Sequence, residues 1–305
     1  MTRAVCVCVP ARDEAQHIAM LIDALATQTI EQPVLLALCV NNSRDDTLAI
    51  ARAAAAASHG RVVLDAVEHE FSGALAHVGS ARRAAMALGV DRIGDDGLLI
   101  STDADCRPPP GWIAANIAAS AARDDLIIGG RIELDDRDAA PAAVFALKRR
   151  FDSYWQKVRE IEDKTDPQPW DPAPRHGDHT GASLAMGAAL YRRAGGVPLL
   201  ATGEDRALVE AAIAVGGKLV HPPAVWTRVS ARTTGRAAGG MARDMQQWID
   251  AIERDHVPLV PAFDHWRERV RWRRRMRASH ADVARAERAL PAMPCDMALP
   301  ELQRQ

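Results

Sequence analysis

No apolar run in this 305-residue chain is long enough to cross a bilayer. The longest, around Val34–Val40, falls far below the roughly 20 residues that a spanning helix requires. Cysteine is sparse. Five occur and none forms a C-x-x-C pair, so neither a metal ribbon nor a dithiol redox centre is indicated. Cys6 and Cys8 alternate on one face of an apolar strand and are expected to be reduced core residues of a cytoplasmic protein. Excess charge of either sign is nearly absent. The formal net charge of −2 argues against a generic nucleic-acid binder but leaves room for a local basic patch. No glycine follows the first strand, where the chain reads VPARDEAQ. The dinucleotide-binding G-x-G-x-x-G is therefore missing, and NAD-dependent dehydrogenases with it. The same gap counts against sugar-phosphate nucleotidyltransferases, which cradle a triphosphate on a glycine-rich loop. No internal repeat occurs. No leader segment is expected, since a strand begins directly after Arg3.

Hydrophobic residues make up 48% of the chain, enough for one large α/β domain with an appendage. Ala4–Pro10 is apolar at nearly every position and suits a parallel strand covered on both faces. Asp13 and Glu14 open a predicted helix, in which Ile18, Leu21, Ile22 and Leu25 follow i, i+3, i+4, i+7 spacing. A second strand spans Val34–Val40. Asn41, Asn42 and Ser43 then turn the chain, and Asp45–Asp46–Thr47 cap a helix to about Ser58. Val62–Asp65 is a third strand, Ser80–Leu88 a helix and Gly97–Ile100 a fourth strand. This alternation predicts a mostly parallel sheet flanked by helices, with ligand crevices at the strand ends. Further on, Ile127–Ile132 reads as a strand and Ala139–Ile161 as a long helix. Asp163–His179, which contains Trp170, reads as a long loop. Gly203–Val215 is a helix, Lys218–Val220 a last strand, and the chain beyond Gly240 is helical and basic.

The fourth strand delivers STDADCR, with Asp103 and Asp105 one residue apart at its C-terminal end. Two carboxylates so placed can hold a hard divalent cation, and the cation can hold a diphosphate. A lone D-x-D is weak evidence, because solvated loop acids are common. Its weight comes from the segments around it.

Four of those segments, in order, resemble the family 2 glycosyltransferases, which have the GT-A fold. VCVPARDEAQHI (Val7–Ile18) is similar to the family's opening strand and turn. CVNNSRDDT (Cys39–Thr47) stands at the place of V-D-D-G-S-x-D-x-T. GSARRAAMALG (Gly79–Gly89), followed by ISTDADC (Ile100–Cys106), resembles the A-R-N helix and the D-x-D. GASLAMGAALYRRAGGVP (Gly181–Pro198), followed by GEDRAL (Gly203–Leu208), resembles the acceptor-side segment and the E-D helix start.

The resemblance implies a metal-dependent, inverting transferase that takes a sugar from a UDP- or GDP-linked donor to an acceptor hydroxyl. Asp105, and less directly Asp103, would hold Mg²⁺ or Mn²⁺ through oxygen ligands. His221 would complete the shell or serve as an ordinary strand-end histidine. Pro10, Ala11, Arg12 and Glu14 would line the base and ribose pocket, and Ala104 lies between the two aspartates. Asn41 and Asn42 depart from the family's usual acids. An amide both donates and accepts, so uracil recognition stays open and so does a purely turn-making role. Arg82 would contact base or phosphate, while Arg83 replaces the family's asparagine. Asp205 is the candidate general base, with Glu204 orienting it or the acceptor. An acidic first helical turn is the plain alternative for both. Arg228 and Arg232, in RVSARTTGR, would close over the diphosphate, since arginine forks suit phosphate, or belong to a polar surface loop. The loop with Trp170, His176, Asp178, His179 and Thr180 is expected to be an acceptor lid or a disordered loop.

Arg267–Arg277 reads RERVRWRRRMR. A solvated or oligomer-facing helix, an anionic partner and a peripheral contact at the inner membrane face all fit it. The expected organisation is an α/β catalytic domain over residues 1–235 and a helical, basic extension over 236–305. The alternatives are a sugar-phosphate nucleotidyltransferase-like enzyme and a non-catalytic nucleotide- or lipid-binding relative.

Overall fold

The computed structural model describes residues 3–138, 140–233, 241–279 and 282–302. In chain order the elements are β1 (Val5–Ala11), α1 (Ile18–Ala26), β2 (Val34–Asn41), α2 (Thr47–Ala57), β3 (Val62–His69), α3 (Val78–Ile93), β4 (Leu98–Ser101), α4 (Trp112–Ser120), β5 (Leu126–Gly129) and β6 (Arg131–Leu134). There follow α5 (Ala142–Thr165), β7 (Leu184–Gly187), α6 (Ala188–Arg193), α7 (Glu204–Ala214), β8 (Lys218–Val220), β9 (Trp226–Val229), α8 (Met241–Glu253), α9 (Phe263–Ala278) and α10 (Val283–Arg288).

Two compact units result. The first comprises residues 1–139 with 178–243, the second 140–177 with 244–305. The second unit therefore takes in α5 and most of the loop after it, as well as the C-terminal helices. The expected extension of 236–305 held only the latter.

In the first unit a seven-stranded sheet runs β3-β2-β1-β4-β7-β5-β8. β1 pairs in parallel with β2 on one side and β4 on the other. β7 is antiparallel to both β4 and β5, so the sheet is mostly parallel, as expected. The expected single strand Ile127–Ile132 is two strands. β5 stays in the large sheet, whereas β6 leaves it after Gly130 and pairs with β9. A Cβ on Gly130 would collide with Ser183, so glycine is needed where the chain changes sheets.

All positions of β1 from Cys6 onward are buried, and so are Ile18, Leu21, Ile22 and Leu25 of α1. Val7, Val9 and Ala11 form one apolar layer with these α1 residues and with β2, β4 and α4. On the opposite face α3 packs against the thiols of Cys6 and Cys8, which are buried and unbridged. α1 begins four residues later than predicted, because the acids before it are used elsewhere. Asp13 accepts from the Arg44 amide (2.8 Å), the Glu14 amide donates to Thr47 Oγ1 (2.8 Å), and Asp45 accepts from the Ala15 amide (3.0 Å). Two turns, one after β1 and one after β2, are thereby knitted together at the C-terminal edge of the sheet. β1 lies between β2 and β4, where the strand order reverses, and open α/β sheets bind ligands at such a point.

The second unit has its own core of Leu147, Tyr154, Val158, Val260, Trp266 and Leu299. The arginine-rich helix α9 buries Trp266 and Val270 and turns much of its charge inward to acids. Arg273 pairs with Glu162 (2.7 Å) and Glu287 (2.7 Å), Arg269 with Glu287 (3.2 Å) and Arg277 with Asp166. Arg267 pairs with Asp264 (2.5 Å) and Arg274 donates to the Thr165 carbonyl (3.1 Å). The loop after α5 is held the same way, with Arg175 bridging Asp163 (2.7 Å), Glu162 (3.0 Å) and Asp171 (3.4 Å). No helix among the described residues is long and apolar enough to cross a membrane.

Burial raises the Glu162 carboxyl, but Arg159, Arg273 and Arg175 overcome this and hold it below the usual range. Arg273 and Arg269 do the same for Glu287. A carboxylate depressed in the folded state adds stability above its unfolded pKa of about 4.3, and that stability is lost as pH falls through the folded value. Arg273→Met is therefore expected to destabilise this unit by about 3 kcal/mol at pH 7 and by much less near pH 3. Urea unfolding at the two pH values checks this. An equal loss at both would contradict the ion-pair account.

Candidate functional site

The site is built at the C-terminal edge of β1, β2 and β4, within the first unit. After β4 the chain makes a tight turn. The Thr102 amide donates to the Cys8 carbonyl (3.2 Å), Thr102 Oγ1 donates to the Ala182 carbonyl (2.8 Å), and the Cys106 amide donates to the Asp103 carbonyl (3.1 Å). Ala104 is buried beneath this turn, which leaves Asp103 and Asp105 to present their carboxylates. Ligand atoms of Asp103, Asp105 and Cys106 lie within 4.8 Å of one another, and theirs is the one such group among the described residues. His221 does not belong to it. That histidine is buried after β8, with its ring 5.8 Å from that of His179.

The donor set fits a hard divalent ion. Burial pushes the Asp105 carboxyl up to about 7, the Arg232 charge works against this, and Asp103 and Glu14 add to it. A carboxylate in that setting requires a cation. Here Arg232 stands as the cation, with Nη2 2.8 Å from Asp105 Oδ2. The same guanidinium grips Glu14 at both oxygens, at 2.9 and 2.7 Å. Cys106 contributes no comparable ligand. Burial and the two aspartates push its thiol well up, and a protonated soft sulfur does not suit Mg²⁺ or Mn²⁺.

Arg232 is carried by the segment after β9, which is pinned by Asp138. Its carboxylate accepts from Ser230 Oγ (2.8 Å) and the Ala231 amide (2.5 Å). Residues 234–236 of the predicted diphosphate arm lie outside the described residues. Arg228, the other arginine of that arm, stacks on Trp226 with its guanidinium carbon 4.7 Å from the ring centre.

On the β1 and β2 side, Pro10 and Ala11 are buried strand-end residues, and Arg12 is half-exposed beside Asp13 at 3.9 Å. Asn41 ends β2 and is 3% exposed. Asn42 adopts φ +49 and donates to the Phe71 carbonyl (2.8 Å) and to Glu70 (3.2 Å). It therefore ties β2 to the end of β3 and does the turn-making work.

Arg82, on α3, is buried, and each of its three nitrogens is engaged inside the protein. Nε donates to Glu204 (3.1 Å), Nη1 to Ser101 Oγ (2.7 Å) and the Gly181 carbonyl (3.1 Å), and Nη2 to Asp103 (2.8 Å). Burial works to lower its pKa, and the charges of Asp103 and Glu204 outweigh that and raise it, so it stays charged. Arg83 points elsewhere and donates to the Val197 carbonyl (2.8 Å). Glu204 opens α7 after Gly203, which takes the left-handed φ of +72. Burial raises the Glu204 carboxyl, opposed by Arg82. Asp205 Oδ2 accepts from the Gly181 amide (2.7 Å) and Oδ1 from the Arg206 amide (2.7 Å).

Ser101 and the backbone of Gly181 are parts of this arrangement that the sequence did not disclose. The only signal was the glycine that opens GASLAMG, and a glycine has many uses. The Glu14–Arg232 pair spans 218 positions and left no local trace.

This sheet and edge define a GT-A glycosyltransferase fold, and the solved structures agree. The chain is similar to S. aureus TarS 1-349 in complex with UDP-GlcNAc (15% identity, TM-score 0.54, 94% of this chain and 76% of that one). It is equally similar to the mannosyltransferase PcManGT from Pyrobaculum calidifontis in complex with GDP-Man and Mn²⁺ (20% identity, TM-score 0.54, 97% of this chain and 78% of that one). No curated protein matches the sequence significantly. Residues 6–141, a little under half of the chain, match the model of glycosyl transferase family 2. The protein is an enzyme of the glycosyltransferase type.

Proposed function

We propose that the protein moves a sugar, with inversion and with help from Mg²⁺ or Mn²⁺, from a nucleoside-diphosphate donor to an acceptor hydroxyl. One observation carries this: the metal-type acid Asp103 and the carboxylate Asp205 belong to one bonded arrangement at the sheet edge, with Asp105 beside Asp103. Asp105 and Asp103 would hold the ion. Bound there, it would offset the charge that develops on the leaving diphosphate. His221 stands outside the proposed ligand pair.

Asp205 would take the proton of the acceptor hydroxyl as that oxygen attacks the anomeric carbon. The bond from that carbon to the phosphate oxygen breaks, and the nucleoside diphosphate leaves from the opposite face with the bonding electrons. The two amides on Asp205 fix its orientation. Glu204 would keep the start of α7 in place. Pro10, Ala11, Arg12, Glu14 and Asn41 would line the base and ribose side, with Ala104 and Asn42 shaping the two turns. The Asn41 amide offers one group that donates and one that accepts, which serves uracil or guanine. The neighbours with UDP-GlcNAc and GDP-Man make UDP and GDP sugars the donors to test first.

Arg232 would exchange Asp105 for the diphosphate when donor and metal enter. Arg232→Gln is then expected to bind Mn²⁺ alone about tenfold more tightly, because a competing unit charge close to the ligand has gone. The same variant should bind nucleoside diphosphate more weakly. Titration of free Mn²⁺ by electron paramagnetic resonance reads the first effect. Unchanged or weaker Mn²⁺ binding would show that the guanidinium does not compete.

The reaction itself is tested by release of nucleoside diphosphate from UDP- and GDP-sugars with Mn²⁺ and with EDTA. Proton NMR of the freed sugar at early times reports its anomeric form. Release that needs metal and gives the opposite anomer is the expected result. EDTA-insensitive release or a retained anomer would contradict the proposal.

A further inference from the structure

Arg82 lies in the family motif whose arginine was expected to meet the donor, yet its surroundings give it different work. Burying a guanidinium costs several kcal/mol unless it is paired and fully hydrogen-bonded. Here the pairing partners are two carboxylates far apart in the chain, Asp103 on the turn after β4 and Glu204 at the start of α7. Nη1 is taken up by Ser101 Oγ and the Gly181 carbonyl. With each nitrogen so engaged and 3% of the residue exposed, the planar fork is spent on the protein.

Gly181 shows how closely this is built. A Cβ there would overlap the Arg82 guanidinium, so only glycine leaves the fork its place. The same residue faces both ways. Its carbonyl accepts from Arg82, and its amide donates to Asp205 (2.7 Å). Asp103, Arg82, Gly181 and Asp205 thus form a continuous chain of hydrogen bonds, with Glu204 as a branch.

We propose that Arg82 is a positioning residue. It fixes the metal-side carboxylate Asp103 against the Glu204–Asp205 pair and does not touch the donor. This rests on the transferase reading above. Lysine keeps the charge but cannot serve the four partners of a fork, so Arg82→Lys lets the two acid groups drift apart. A displacement of about 1 Å at a reacting group costs on the order of 100-fold in rate.

The test compares wild type, Arg82→Lys, Gly181→Ala and Asp205→Asn, with the two double variants that combine Asp205→Asn with each of the others. Melting temperature, affinity for UDP and GDP with Mn²⁺, and kcat and KM for nucleoside diphosphate release from UDP-GlcNAc and GDP-mannose are read for each. Gly181→Ala displaces the guanidinium without removing it, and it serves if the lysine variant does not fold. The expected result is a kcat about 100-fold lower in either single variant, with nucleotide affinity and KM unchanged. In the Asp205→Asn background neither substitution should cost anything further, since effects that act through one group do not add. A purely structural loss would persist in that background.

A lysine variant that binds nucleotide poorly yet turns over at the wild-type kcat would make Arg82 a donor contact and overturn the proposal. So would full activity in both single variants, or losses that add to that of Asp205→Asn. If wild type neither binds a nucleotide with Mn²⁺ nor releases one, the transferase reading fails and this inference with it.

Discussion

Asp205→Asn is expected to lower kcat by roughly 10²–10⁴-fold, the usual contribution of a positioned general base, while nucleotide affinity and melting temperature stay as in wild type. The expectation follows from two facts about the carboxylate. It sits in the first turn of α7 after Gly203, and two backbone amides hold its oxygens at 2.7 Å each. The amide side chain of asparagine nearly reproduces the shape and can still accept from the Gly181 N–H, so the scaffold survives. It cannot take a proton from a hydroxyl at neutral pH. An acid that only caps the helix would behave differently. Its loss would lower stability by up to about 1 kcal/mol and leave turnover alone. Nucleotide release at saturating donor, beside a melting curve, separates the two outcomes.

Asp105→Asn is expected to abolish Mn²⁺-dependent nucleotide binding and to reduce turnover by about 10³-fold, since a bound ion supplies several kcal/mol of charge stabilisation. Asp105 is partly buried at the sheet edge, and its carboxyl is pushed up to about 7 by burial despite Arg232. Removing that charge also removes a partner of Arg232, which retains both oxygens of Glu14. The fold should therefore tolerate the change. Wild-type nucleotide affinity that still depends on Mn²⁺ in Asp105→Asn would move the ion away from this pair.

Much of the edge that carries these residues was legible in the sequence. The continuous apolar run of β1, the i, i+3, i+4, i+7 pattern of α1 and the aspartates after β4 are local signals, and local signals survive without coordinates. What stayed hidden depends on long-range pairing. β7 is four apolar residues running straight into α6, and periodicity cannot divide so short a run. Its antiparallel placement between β4 and β5 has no sequence mark at all. The glycines at 129 and 130 were the cue that Ile127–Ile132 splits between two sheets, and they passed as part of a strand. The expected start of α1 failed because Asp13 and Glu14, good capping residues by type, bind the neighbouring turn and Arg232 instead. The arginines of α9 occupy every face of the helix by sequence. Five of the seven in Arg267–Arg277 meet acids or a carbonyl within their own unit, the farthest 111 positions away. Composition could count these charges but not pair them. Arg82 belongs to the same class, with partners 19 to 122 positions away.

Metal-dependent capture of one nucleoside diphosphate is the central claim, and thermal unfolding with UDP, GDP, CDP and ADP, each with and without Mn²⁺, tests it most directly. A ligand at about 100 times its Kd adds roughly 2.7 kcal/mol to the folded state, a readily measured rise in melting temperature. The account expects that rise with UDP or GDP, only in the presence of Mn²⁺, and its loss in Asp105→Asn. No shift with any of the four, or an equal shift without metal, would contradict it.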